Sequence, residues 1–111
     1  IFTMPFGSIY SAYITKVEKK GRTKEELEEI IFWLTGYGHE GLEQALNAGM
    51  SLEDFYGNAP RFNPNATLIT GSICGYRVEE IEDPTMRRIR YLDKLVDELA
   101  KGKSMDKILR K

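Results

Sequence analysis

Residues 23–36 read TKEELEEIIFWLTG. Thr23 and Glu26 have the spacing of a capping box, in which each side chain accepts a hydrogen bond from the backbone N–H of the other. Apolar residues then recur at i, i+3, i+4 and i+7, which places them on one face of a helix. They are Leu27, Ile30, Ile31 and Leu34. Because Gly36 supplies a left-handed stop, the stretch predicts an amphipathic helix with both ends marked.

Two longer helices carry the same kind of start and stop signals. A helix over about residues 8–20 is predicted by Ser8 as its N-cap and by Gly21 as its stop. The longest helix begins at Asp83-Pro84, because proline lacks the N–H that a first turn leaves unpaired. Gly102 closes it after about 18 residues.

The longest predicted helix has two contrasting faces. Its apolar stripe consists of Met86, Ile89, Leu92, Val96 and Leu99. Its polar face consists of Arg87, Arg90, Lys94 and Glu98. We therefore expect the stripe to be buried and the polar face to be solvated.

Three shorter helical patterns complete the helical part of the chain. One precedes Gly49, one follows the N-cap candidate Ser51, and one follows Ser104. Each is too short to be stable alone, so each must dock on the rest of the protein.

Periodicity alone does not decide the segment that precedes the longest helix. Ile69, Ile73 and Tyr76 fall on one helical face, but alternate residues over 74–78 would also suit a strand. We favour a helix over about residues 66–81, because an isolated strand would have no partner for its backbone groups.

These elements predict one mainly α-helical domain over residues 1–111. The expected architecture is all-α, a compact irregular bundle of about six short and medium helices. A hydrophobic fraction of 41% with 30% charged residues supplies enough apolar material for a core and excludes a disordered chain. The longest apolar run, residues 30–34, is far short of the roughly 20 residues that cross a bilayer, so no membrane partner is expected.

Charge and cysteine content limit the classes of partner. Sixteen Lys and Arg against seventeen Asp and Glu give a formal net charge of −1, so nucleic acid is not an expected partner. A basic C-terminal end leaves RNA binding as an alternative; it comprises Lys101, Lys103, Lys107, Arg110 and Lys111. A single cysteine, Cys74, cannot form an internal disulfide, which indicates a cytoplasmic protein.

The chain has few residues that could carry chemistry. His39 is the only histidine, so one chain cannot assemble a two-histidine metal site, and we interpret it as the first residue of a helix. Cys74 lies between Gly71 and Gly75, and we expect it to be a small buried residue rather than a nucleophile. In a helix, the two glycines would let a neighbouring helix approach closely. We therefore predict neither a metal site nor a cofactor.

The aromatic residues of the first half suggest a contact surface. Phe32 and Trp33 point away from the buried stripe of residues 27–34, so they need a second partner, within the fold or on another molecule. Tyr37 follows directly after that helix. Aromatic residues in a small helical domain are otherwise core residues.

Several linked stretches resemble a known bacterial family, the domain of unknown function 2200. They are residues 4–6, 19–26, 33–37, 69–84, 90–95 and 108–110. The resemblance spans nearly the whole chain. It implies a small, stand-alone, mainly helical bacterial protein, and it brings neither catalytic residues nor a cofactor.

We expect a non-enzymatic binding or protein-interaction module whose partner is a second copy of the chain, as in a homodimer, or another protein, with a small-molecule ligand as a further alternative. Its candidate binding residues are Phe32, Trp33, Tyr37, Thr70, Cys74, Tyr76 and Arg77. The first alternative is a small-molecule enzyme with one cleft formed by Thr70, Cys74, Tyr76, Arg77 and His39. That alternative requires these five side chains to converge.

Overall fold

The structure is a computed structural model that describes residues 2–110. Its described residues form six α-helices and one two-stranded antiparallel hairpin. The helices are α1 (Phe6–Lys19), α2 (Lys24–Thr35), α3 (His39–Asn47), α4 (Leu52–Gly57), α5 (Pro84–Ala100) and α6 (Met105–Ile108). The strands are β1 (Ser72–Ile73) and β2 (Tyr76–Arg77). The prediction of a mainly α-helical bundle of about six helices is confirmed.

The helix boundaries that rest on local capping chemistry agree closely with the structure. Thr23 Oγ1 accepts a hydrogen bond from the Glu26 N–H at 3.1 Å, and Glu26 Oε1 accepts one from the Thr23 N–H at 3.1 Å. Asp83 accepts a hydrogen bond from the Met86 N–H at 2.9 Å ahead of the Pro84 start of α5. Such bonds satisfy N–H groups that the first turn of a helix leaves free.

The start of α1 differs from the prediction. The helix begins at Phe6, two residues before the predicted cap at Ser8. The Phe6 N–H donates to the Met50 carbonyl at 2.8 Å, and the Phe6 ring is fully buried and stacked on Phe55 at 3.7 Å between centroids. Contacts with a distant segment therefore determine this helix start, which a local capping rule does not detect.

The predicted helix over residues 66–81 is wrong. The segment holds a 3₁₀ helix (Pro64–Leu68), the β1–β2 hairpin and a second 3₁₀ helix (Val78–Glu80). The hairpin supplies its own strand partner, which removes the reason for rejecting strands. In its register, Ser72 faces Arg77 and Ile73 faces Tyr76, so only two residues form the turn.

Helix α5 lies at the centre of the fold. It contacts α1, α2, α4, α6, the hairpin and the second 3₁₀ helix. Its fully buried side chains are Leu92, Leu95, Val96 and Leu99. The predicted stripe of α2 is also fully buried, as Leu27, Ile30, Ile31 and Leu34. Each such side chain contributes about 1.5–3 kcal/mol by leaving water.

One residue of the predicted polar face of α5 is buried. Glu98 accepts two hydrogen bonds from the guanidinium of Arg110, at 2.6 and 2.8 Å, and its side chain is only 8% exposed. The Lys103 ammonium lies 3.5 Å from the same carboxylate. Glu98 therefore anchors the chain after α5 instead of facing solvent. Within residues 2–110, no helix combines the length and the apolar character needed to span a membrane.

We predict that Gly36→Ala destabilises the protein more than Gly21→Ala. Both glycines have left-handed φ angles, +82° and +79°, so either alanine is strained by about 1–2 kcal/mol. A Cβ at Gly36 would also lie 2.6 Å from the Arg61 backbone nitrogen, whereas a Cβ at Gly21 meets nothing within 4 Å. Urea unfolding should show a further loss of about 1–3 kcal/mol for Gly36→Ala. Equal losses would contradict the close approach.

Candidate functional site

The aromatic residues of α2 and of the turn after it pack within the protein. Phe32 and Trp33 are partly buried against the core, and the Phe32 ring contacts His39 edge to face at 4.9 Å. Tyr37 is 7% exposed, stacks on Phe55 at 4.5 Å, and donates its hydroxyl hydrogen to the Phe55 carbonyl at 2.6 Å. The second face of α2 therefore finds its partners inside the fold. These contacts give the three residues a role in packing.

The hairpin turn presents the other half of the predicted site. Cys74 and Gly75 both have positive φ, +52° and +82°, as a two-residue hairpin turn of type I′ requires. Cys74 is exposed, so the prediction that it is buried is wrong. Gly71 and Gly75 have positive φ angles that allow the hairpin to form, so they do not bring two helices together as predicted.

The base of the hairpin is held by polar contacts. The Val78 N–H donates to the Gly71 carbonyl at 3.0 Å, and the Gly71 N–H donates to a carboxylate oxygen of Glu79 at 3.0 Å. From α5, the Lys94 ammonium donates to the Ser72 carbonyl at 3.1 Å. The fully buried Val78 side chain ties the same segment to the core. These contacts therefore hold Gly71, Ser72 and Val78 in place at the base of the turn.

A cleft of about 530 Å³ lies between the hairpin and the first turns of α5; we call it the hairpin cleft. It is lined by Gly75, Tyr76, Arg77, Glu80, Ile81, Met86 and Arg90. Tyr76 is 60% exposed and offers one aromatic surface. Arg77 and Glu80 face each other at 3.7 Å and are both exposed. The cleft thus combines an apolar surface with charged groups.

Arg90 is the most unusual residue of the hairpin cleft. Its Nη1 donates to Asp93 at 2.8 Å, and Asp93 also accepts a hydrogen bond from the Tyr13 hydroxyl. Its Nε is buried and has no hydrogen-bond partner among the described residues. Buried donors are normally paired, so an unpaired one on a charged group is costly.

Arg90 also lines a second cavity, of about 260 Å³, on the other side of the hairpin turn. Tyr13, Cys74 and Asp93 are among the residues of that cavity. Burial lowers the pKa of Arg90, but the hydrogen bond and the charge of Asp93 raise it above its ordinary value overall. The guanidinium is therefore charged, and Arg90 is a lining residue of both cavities.

Comparisons with known proteins place the chain in a family. The family model described as "Uncharacterized protein conserved in bacteria (DUF2200)" matches residues 1–110. The chain belongs to this family. The resemblance predicted from the sequence is confirmed.

A solved structure shows the same fold as this DUF2200 chain. The crystal structure of uncharacterized protein SP1917 superposes with a TM-score of 0.92 at 45% sequence identity, covering 97% of this chain and 88% of that one. No curated protein matches the chain. The comparisons therefore give the family and the fold without an activity.

The structure brings together only part of the predicted enzyme cleft in this DUF2200 chain. Tyr76 and Arg77 share the hairpin cleft, and Cys74 lines the cavity across the turn. Thr70 is exposed and lines neither cavity. His39 begins α3 as predicted, but it lies in another groove, where its Nδ1 is 3.8 Å from Glu28.

Sequence reasoning missed Arg90 and the residues around it. It assigned Arg90 to the solvated face of α5, placed Tyr13 only among the regularly spaced residues of the first helix, and gave no role to Asp93. An available signal was the i, i+3 spacing of Arg90 and Asp93 on one helix. Met86, expected in the buried stripe of α5, is only partly buried and lines the cleft together with Ile81.

The basic C-terminal end is largely engaged with acidic residues of α5. Arg110 and Lys103 contact Glu98, and the Lys101 ammonium lies 3.0 Å from Asp97. Lys111 lies outside the described residues. Among residues 2–110, no three His, Cys, Asp or Glu side chains are grouped so that they could hold a metal ion.

Two buried tyrosines next to the Arg90–Asp93 pair have raised pKa values. The pKa of Tyr13 is raised well above its ordinary value of 10.0. Burial is the largest cause, followed by the charges of Tyr56 and Asp93. Burial, and then the Asp93 charge, likewise raises the pKa of Tyr56. Both phenols therefore remain neutral in the folded protein at a pH where unfolded tyrosines ionise.

We predict that the protein loses stability as the pH rises above about 10. A raised folded-state pKa contributes stability that is complete below the unfolded-state pKa and is lost as the pH rises toward the folded-state pKa. Each buried tyrosine should lower the free energy of unfolding by about 1.4 kcal/mol per pH unit in that range. Urea unfolding from pH 9 to 11 should show a shallower decline for Tyr13→Phe than for the wild type. Parallel declines would contradict the burial of that phenol.

Proposed function

We propose that this protein is a non-enzymatic binding module that takes a small molecule into the hairpin cleft. The observation that carries the proposal is the cleft itself, about 530 Å³ with apolar and charged lining. Small-molecule sites commonly have volumes of about 300–1,000 Å³ and combine apolar walls with a few polar groups. Among the predicted binding residues, Tyr76 and Arg77 thus have more support than Phe32, Trp33 or Tyr37.

The proposal of binding without catalysis rests on how the reactive residues are distributed. A nucleophilic cysteine needs a base within hydrogen-bond reach. His39 lines a different groove from Cys74, so the candidate base and the candidate nucleophile are not brought together. The arrangement favours a site that recognises a ligand over one that transforms it.

We assign the protein to the bacterial cytoplasm. Support comes from Cys74, which is free and exposed on the hairpin turn. An exposed thiol stays reduced in the cytoplasm, whereas oxidising compartments favour disulfides.

Self-association and RNA binding stay predictions. Light scattering across a concentration series tests for the homodimer, and filter binding at low salt tests for RNA. The contacts of Lys101, Lys103 and Arg110 with acidic residues weaken the RNA alternative, because cations already paired with carboxylates neutralise fewer phosphates and so release fewer counterions from the RNA.

Fragment binding followed by two-dimensional ¹H–¹⁵N NMR tests the proposed function. We expect aromatic fragments to shift the backbone signals of residues 75–90. Tyr76→Ala should weaken their binding about three- to tenfold, because it removes an aromatic surface. Leu68→Ala is a matched control, since Leu68 is similarly exposed (57%) but does not line the cleft. The proposal is wrong if a fragment library shifts no signals in this range, or if both variants weaken binding equally.

A further inference from the structure

Building on the proposed function, we propose that the hairpin cleft recognises a small carboxylic acid with an aromatic or apolar body. Its carboxylate pairs with the Nε side of the Arg90 guanidinium. Its body lies against Tyr76, Ile81 and Met86.

The first argument is the geometry of Arg90. A guanidinium is planar, and its Nε–H points in the same direction as one N–H of a terminal nitrogen. These two donors match the two oxygens of a carboxylate. Asp93 occupies Nη1 at 2.8 Å, while Nε has no partner among the described residues. The Nη1 donor is therefore paired within the fold, whereas the Nε donor has no partner among the described residues and can bind a ligand carboxylate.

The second argument is energetic. A buried donor on a charged group loses its hydrogen bonds to water and receives nothing in return when it has no partner. A ligand carboxylate at Nε would restore that hydrogen bond with a charge-assisted one. Binding is therefore favoured because the free protein lacks a hydrogen bond at Arg90 Nε that the ligand supplies.

Nε is covered in the free protein, so the ligand needs a way in. Gly75 lines the hairpin cleft and Cys74 lines the cavity on the other side of the turn, with Arg90 shared by both. The base of the hairpin is fixed at Gly71 and Val78. The proposal therefore includes a shift of the exposed turn residues that uncovers Nε while the base of the hairpin stays in place.

Charge balance favours a carboxylate over a phosphate. Arg77 and Arg90 are positive, while Glu80 and Asp93, their respective partners, are negative. The site is formally neutral before binding, so the unpaired Nε donor of Arg90 can bind a monoanion. A phosphate dianion would bring a second negative charge close to Glu80, which is unfavourable.

The other residues that line the cleft indicate what kind of body the ligand has. Tyr76, Ile81 and Met86 offer an aromatic ring, a branched aliphatic group and a thioether. Aromatic rings pack well on such groups. Benzoate is therefore the simplest probe, benzamide is its neutral counterpart of equal shape, and phenyl phosphate is its dianionic counterpart.

The test is an NMR titration of the intact protein with these three probes. We expect benzoate to bind at least about tenfold more tightly than benzamide or phenyl phosphate, which corresponds to one charge-assisted pair. Benzoate should also shift the side-chain Nε–Hε signal of Arg90 in the wild-type protein. This direct readout requires no variant.

Arg90→Lys keeps the positive charge but removes the planar edge. We expect it to reduce benzoate affinity about tenfold, to the level of benzamide. Arg61→Lys is the control, because Arg61 is exposed and does not line the cleft. If Arg90→Lys does not fold, the Arg90 signal of the wild type decides.

Each contrary outcome has a distinct meaning. Equal affinities for benzoate and benzamide in the cleft, or tighter binding of phenyl phosphate, overturn the carboxylate inference and leave the proposed binding function intact. Benzoate binding in the cleft without a shift of the Arg90 signal overturns it as well. Absence of cleft binding by every probe and by the fragment library overturns both proposals.

Discussion

Burial of the apolar face of α5 is the interaction on which the rest of the structure depends. Helices α1, α2, α4 and α6 all contact this helix. The shorter helices could not persist alone, because a helix of one or two turns gains too little to offset its ordering. Helices α4 and α6 therefore take their positions from docking on α5, whereas α3 packs on α1. The hairpin cleft, one wall of which comes from α5, depends on that helix too.

Polar side chains fasten the chain ends and turns to this core. Arg22 illustrates the pattern, since its guanidinium donates to Glu26 and also to the carbonyls of Leu99 and Lys103. Those carbonyls lie at and beyond the end of α5, where helical partners are lacking. Arg88 likewise donates to the Tyr56 carbonyl at the end of α4. Arginine suits this task because its fork of donors reaches several acceptors at once.

The candidate site lies at the surface, between the hairpin and the first turns of α5. The core keeps the aromatic residues of α2 in contacts within the chain, while the hairpin places Tyr76 and Arg77 at the surface. Membership of a family without a described activity leaves the site's chemistry as the guide to function. That chemistry centres on Arg90, whose Nη1 donates to Asp93 while its Nε has no partner among the described residues. The proposed binding role rests on the hairpin cleft, and the proposed carboxylate ligand rests on this unpaired donor.

The sequence by itself determined the helical class, the capping box of α2, the start of α5 and the buried stripes. Each depends on residues within about one or two turns of one another, so local spacing is sufficient. Two of the seven residues that line the proposed site, Tyr76 and Arg77, were also identified. Their conformation was not, because the hairpin depends on a positive φ at Cys74 that helical periodicity does not reveal. Only the tertiary structure decided the start of α1, the burial of Glu98 and the place of Arg90 between two cavities. Those features arise from contacts between residues far apart in the chain, and no local pattern specifies which distant groups will meet.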